Sequence, residues 1–130
     1  MRPALTGVAL VVATAGMVVS GCNGGPSADV EVRPSPIHQV DVRFMESFPV
    51  QVAVYIQGGL PDGCTSFRDL KTSRSGNTIK IDVTNQRPKD AICTQVYGYF
   101  EKNVNLGTDF TSGQVYTVQV NDRTTTFTMP

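Results

Sequence analysis

The chain has 130 residues, and its eleven basic and eleven acidic side chains give a formal net charge of zero. That length suits one ordinary domain plus a targeting segment, and the scattered, cancelling charges give no single-sign field to draw nucleic acid or an anionic surface. Trp is absent while Thr, Val, Gly, Pro and Asn recur at short intervals, a mixture that favours strands joined by turns.

From Pro3 to Gly21 no side chain is charged, and 19 such residues are just enough to raise the question of a membrane span. The clearly apolar part, Leu5 to Val19, is broken by Thr6, Gly7, Thr14 and Gly16, follows a single Arg and ends on small residues. That is the layout of a secretory signal, with no basic cluster after it to stop transfer. Val19-Ser20-Gly21-Cys22 then places two small residues before a cysteine. This stretch resembles the type II signal of bacterial lipoproteins. The resemblance implies a diacylglyceryl group on the Cys22 thiol, cleavage before Cys22, and acylation of the new amino terminus. Asn23 is not the Asp that resembles an inner-membrane retention signal. A simple secretory signal and a retained helix are the competing readings. Two or more acyl chains hold a protein firmly to a membrane, whereas one is marginal.

With 1–21 read as signal peptide, 22–36 is expected to be a flexible tether by its Gly, Pro and Ser content, and 37–130 the folded domain. Period-2 alternation predicts strands in "IHQVDVRF", with Val40, Val42 and Phe44 on one face, and in "PVQVAVYIQ", with Val50, Val52, Val54 and Ile56. "GGLPDG" reads as a loop, and "CTSFRDLKTSR" fits either a helical turn or a strand. Ile79, Ile81 and Val83 share a face of the next strand, and "NQRPKD" breaks the chain. "AICTQVYGYFEKNVNL" reads as one longer strand bent at Gly98. Tyr116, Val118 and Val120 then form a hairpin with "RTTTFTM" across an Asn121-Asp122 turn. The fold class expected is all-β, an antiparallel immunoglobulin-like sandwich of about seven strands. "LPDGCT", "ICTQ", "YTVQVN" and "TFTM", within Gly58 to Pro130, also resemble a group of small bacterial secreted or lipid-anchored domains with two cysteines and a C-terminal hairpin. That resemblance implies a fold and carries over no functional residues.

Committing Cys22 to lipid leaves Cys64 and Cys93, an even pair that an oxidising exterior joins as a disulfide. Their 29-position spacing lacks Cys-x-x-Cys geometry, and no basic residue adjoins either to lower its pKa. His38, the single histidine, lacks an evident partner for base catalysis and is too few for the usual zinc ligand sets. Asp62, Asp90 and Asp109 fall in predicted loops, where capping their own turns competes with binding Ca²⁺ or forming an acid/base pair. Tyr97 and Tyr99 share strand parity. With Val96 and Phe100 on the other parity, a strand covered on both sides is preferred over an exposed aromatic platform.

No catalytic set, metal site or cofactor motif emerges. The leading expectation is a non-enzymatic, lipid-anchored binding or accessory domain of the cell envelope, held to the membrane through Cys22. Its ligand is an unspecified protein or polymer rather than nucleic acid, and Leu60, Asp62, Arg87 and Lys89 are the candidate binding loops. The alternatives are an envelope protease inhibitor using the loop around Leu60 and, with less support, a carboxylate-based hydrolase.

Overall fold

The computed structural model describes Gly16 and residues 29–130; the rest of the predicted signal peptide, with Val19-Ser20-Gly21, and Cys22 lie outside the described residues. Among the described residues, eight strands form two sheets. β1 (Val30–Pro34), β4 (Ser66–Ser75), β5 (Thr78–Pro88), β7 (Val115–Val120) and β8 (Arg123–Thr128) make one; β2 (Ile37–Met45), β3 (Gln51–Leu60) and β6 (Gly98–Gly107) make the other, in the order β2-β3-β6. The all-β sandwich with one disulfide is therefore what the pattern predicted, with eight strands rather than about seven.

Period-2 patterning builds the core. Val52, Val54 and Ile56 of β3, Ile79, Ile81 and Val83 of β5, and Val118 and Val120 of β7 are fully buried between the sheets. Each removes an aliphatic side chain from water, worth roughly 1.5–3 kcal/mol. The end of the sandwich away from the disulfide is sealed by Phe110, Tyr116 and Phe127, with ring centroids 4.9 to 5.7 Å apart.

Four expectations are corrected. The segment Val30–Pro34, assigned to the tether, is strand β1, in antiparallel register with β5 from Val30↔Pro88 to Pro34↔Thr84. Its backbone fills an edge while most of its side chains face solvent, so it carries little hydrophobic signal. Gly58 and Gly59, read as loop, are buried strand residues of β3, and the loop starts at Pro61. β6 begins only at Gly98, the 91–97 stretch being irregular, while the ambiguous segment is strand β4 rather than a helical turn. The sandwich is antiparallel in all pairings but one: β5 and β7 run parallel from Thr78↔Thr117 to Ile81↔Val120.

The chain changes sheets between β1 and β2, and a polar latch holds the crossing. Ser35 N–H donates to Val83 O (2.9 Å), its hydroxyl to Asn85 Oδ1 (2.6 Å), and Asn85 Nδ2 to Gly59 O (2.8 Å). From the β7–β8 turn, Asn121 Nδ2 donates to Ser35 O (2.8 Å) and Val83 O (2.9 Å), and its Oδ1 accepts from Val83 N–H (2.9 Å). The Asn121 amide thus extends the β5–β7 ladder by one step where β7 has ended. Its φ of +51° is the left-handed conformation that Asn tolerates better than most residues.

Candidate functional site

At one end of the sandwich the turn after β3 meets the irregular stretch before β6. Cys64 and Cys93 are joined there as predicted, with Cα atoms 5.5 Å apart. Asp62 caps its own loop: its Oδ1 accepts from Cys64 N–H and from the Thr65 hydroxyl, both 2.9 Å. Its other oxygen lies 3.3 Å from Arg87, whose guanidinium also reaches Cys93 Sγ at 3.4 Å. Burial alone would raise the Asp62 pKa, but these hydrogen bonds and the Arg87 charge outweigh it and hold the carboxyl below its usual value. Both sulfurs near Asp62 are in the disulfide, so the cluster has no thiolate to offer a metal.

Leu60, Asp62, Arg87 and Lys89 do come to this one end, but not as a free binding loop. Asp62 and Arg87, with side chains only 11% and 25% exposed, spend their charges on each other. Leu60 is the last residue of β3, paired with Gly98, and the loop begins after it at Pro61. Lys89 remains exposed, and its N–H is bonded to Asp29 O (2.9 Å). The three loop carboxylates do not converge. Asp109 lies 3.9 Å from Arg74, near the tip of the β4–β5 hairpin, and Asp62 is by its base, the two separated by a ten-residue strand about 30 Å long. Asp90 is exposed in the turn after β5.

Two open grooves, of about 620 and 240 Å³, flank the crossing at Pro34–Pro36. The Ser35, Asn85 and Asn121 side chains that line them are already engaged in the latch.

The outer face of the three-stranded sheet is different. By strand alternation Tyr99, Glu101, Asn103 and Asn105 of β6 face outward, and the face carries rows across the sheet: Gln39, Gln57 and Glu101, then Asp41, Tyr55 and Asn103. Tyr99 is 60% and Tyr97 43% exposed. This overturns the preferred reading of a strand covered on both sides. With His38 the two rings make a triangular cluster, the centroids 5.2 to 5.6 Å apart in edge-on contacts. His38 Nε2 and the Tyr97 hydroxyl share a hydrogen bond, and burial among these neighbours raises the pKa of the Tyr97 phenol. His38, read as uncommitted, is therefore committed to an aromatic cluster. Glycine makes the seat. A Cβ on Gly59 would lie 2.0 Å from the Tyr97 hydroxyl oxygen, and one on Gly58 would lie 2.1 Å from the Phe100 ring. The Gly58-Gly59 pair thus admits one ring on each side of the sheet. Beside the cluster, the Tyr55 hydroxyl donates to Glu101 (2.6 Å), a bond that raises its own pKa, and Arg43 lies 4.5 Å from the Tyr55 ring centroid. The missed signal was the polar alternation of Glu101, Asn103 and Asn105, which marks a strand with one solvent-facing side.

Comparison with known proteins places residues 54–129 in the ORF11 beta-sandwich domain family, a match that starts in β3 and runs almost to the C-terminus. An uncharacterized 10.2 kDa protein in the HgiCIIM 5′ region of Herpetosiphon aurantiacus is 46% identical over 86 residues, 66% of this chain and 90% of that protein. Two further uncharacterized 10.2 kDa proteins of that organism, in the HgiBIM and HgiEIM 5′ regions, are each 49% identical over 76 residues, 58% of this chain and 92% of theirs. No solved structure matches. The β-sandwich and the matched residues agree, and the chain belongs to the ORF11 beta-sandwich domain family.

Proposed function

We propose that this chain is a lipid-anchored, extracytoplasmic binding or accessory domain of the bacterial envelope, without catalytic activity, tethered through Cys22. The observation that carries the reading is the partition of its three cysteines. Cys64 and Cys93 are joined in the sandwich, a pairing that persists in oxidising compartments. Cys22 ends the Pro3–Gly21 stretch that carries no charge, in a Val19-Ser20-Gly21-Cys22 sequence that resembles the type II signal of bacterial lipoproteins.

The fold is compatible with such a tether. Asp29, where the described domain begins, lies beside Lys89 at the disulfide end. Eight positions separate Cys22 from Val30, at most about 28 Å of extended chain. An anchored domain would stand close to the bilayer with its disulfide end toward it. The Asp62–Arg87 brace then acts as a stiffener at the point where the tether pulls, and the sandwich carries recognition on its flanks.

Feeding cells an alkyne analogue of palmitate tests the anchor. The wild-type chain takes up label, and the C22A variant takes up none. A wild-type chain without label, or equal labelling of both, overturns the reading.

A further inference from the structure

We propose that the outer face of the β2-β3-β6 sheet is a docking surface for a neutral, polyhydroxylated glycan chain, with Tyr97 and Tyr99 as its stacking rings. The assignment rests on reading the domain as an envelope binding module and names the ligand class for it.

Tyrosine is distributed unevenly. Of the four in the chain, Tyr116 is in the core at 2% exposure, while Tyr55, Tyr97 and Tyr99 all stand on this one face. The exposed part of a phenol ring offers an apolar surface and a hydroxyl to a ligand that carries both kinds of group. A sugar ring is such a ligand, with C–H faces for the rings and equatorial hydroxyls for flanking amides and carboxylates. Gln39, Gln57, Glu101 and Asn103 are arranged in rows beside the cluster and supply donors and acceptors at strand spacing. The cluster is also preformed: the absent Gly59 side chain and the His38 contact set the position of Tyr97. Pre-organisation of this kind lowers the entropy lost on binding.

Charge selects among polymers. Asp41, Arg43 and Glu101 are the ionised groups in these outer rows, and the Tyr55 hydroxyl and ring link Glu101 to Arg43. The face therefore lacks the cationic field that a phosphate-rich polymer or nucleic acid needs, and is matched to an uncharged chain. The chain enters through β1 in the opposite sheet, so this face points away from the strand that follows the tether.

The test is a titration of the full chain, in detergent, with chitin-derived and cellulose-derived oligosaccharides. The chain has no Trp, so intrinsic emission reports the tyrosines directly. The expected result is a saturable change with at least one of these neutral oligosaccharides. It holds as salt rises from about 0.1 to 1 M, which shortens the screening length from about 10 to about 3 Å. Tyr99→Ala, with an unchanged thermal melt, weakens binding by about tenfold, as loss of an aromatic anchor does. Gln57→Ala weakens it less, and Lys80→Ala, on the solvent face of the opposite sheet, leaves it unchanged. Four results overturn the assignment: no saturable change with either series; binding that survives both Tyr99→Ala and Gln57→Ala; salt-sensitive binding to heparin in place of the neutral chains; or self-association that Tyr99→Ala disperses. None of these touches palmitate labelling at Cys22, so the ligand class and the anchor fail separately.

Discussion

Replacing Asn121 tests whether the sheet crossing is held by one side chain. Asn121→Ala removes three hydrogen bonds of 2.8 to 2.9 Å, and leaves Val83 N–H and Ser35 O without these partners in the interior of the crossing. Val83 O keeps its bond from Ser35 N–H. At about 1 kcal/mol net for each bond the loss is about 3 kcal/mol. The +51° φ adds about 1 kcal/mol for an Ala that must adopt the left-handed region. The total of about 4 kcal/mol is a large part of the 5–15 kcal/mol that typically holds a domain together. In a domain of this size it lowers the melting temperature by about 15–30 °C. Asn121→Gly loses the same bonds without the backbone penalty, so it is expected to be about 1 kcal/mol more stable than the Ala variant. Urea unfolding followed by circular dichroism, with the disulfide intact, measures both. A cost below about 1 kcal/mol for Asn121→Ala, or Gly and Ala variants of equal stability, would refute the latch.

Other consequences are open to the same assay. Reducing Cys64–Cys93, or replacing both with Ala, opens a loop spanning 29 positions and is expected to cost about 3–4 kcal/mol in the chain-entropy model; an unchanged urea midpoint contradicts it. Asp62 has its folded pKa below its unfolded value, so its contribution is fully present above the unfolded pKa of about 3.9 and is lost as pH falls through the folded one. Asp62→Asn should therefore flatten the acid limb of the stability curve below about pH 4, and an acid limb identical to wild type would sink the assignment. Gly59→Ala should destabilise and displace Tyr97, read as a loss of contacts between the Tyr97 and His38 rings by NMR; intact contacts would show that the seat is not the glycine.

Much of the sandwich was legible because its inner faces follow period 2: Val52, Val54 and Ile56, then Ile79, Ile81 and Val83, then Tyr116, Val118 and Val120 all point into the core. The disulfide followed from cysteine arithmetic once Cys22 was set aside. β1 was hidden because Glu31 and Arg33 dominate a five-residue edge strand held by its backbone, which a composition rule reads as tether. The parallel β5–β7 pairing depends on where the chain crosses between sheets, and that is set by Ser35 and Asn121, residues 86 positions apart. Among candidate site residues, Asp62 and Arg87 lie 3.3 Å apart at one end, and only geometry shows them neutralising each other. Tyr97 and Tyr99 were given a common face, while their exposure depends on that face being the outer side of the three-stranded sheet, a property of topology rather than of local pattern.

Intact-mass analysis of the chain extracted from native membranes tests most directly the proposed lipid anchor at Cys22 and its delivery of this sandwich to an oxidising compartment. The account predicts a chain starting at Cys22, carrying the mass of a diacylglyceryl group, with Cys64 and Cys93 two hydrogens lighter than free thiols. An unmodified mass, a retained leader, or two free thiols in freshly extracted protein contradicts it.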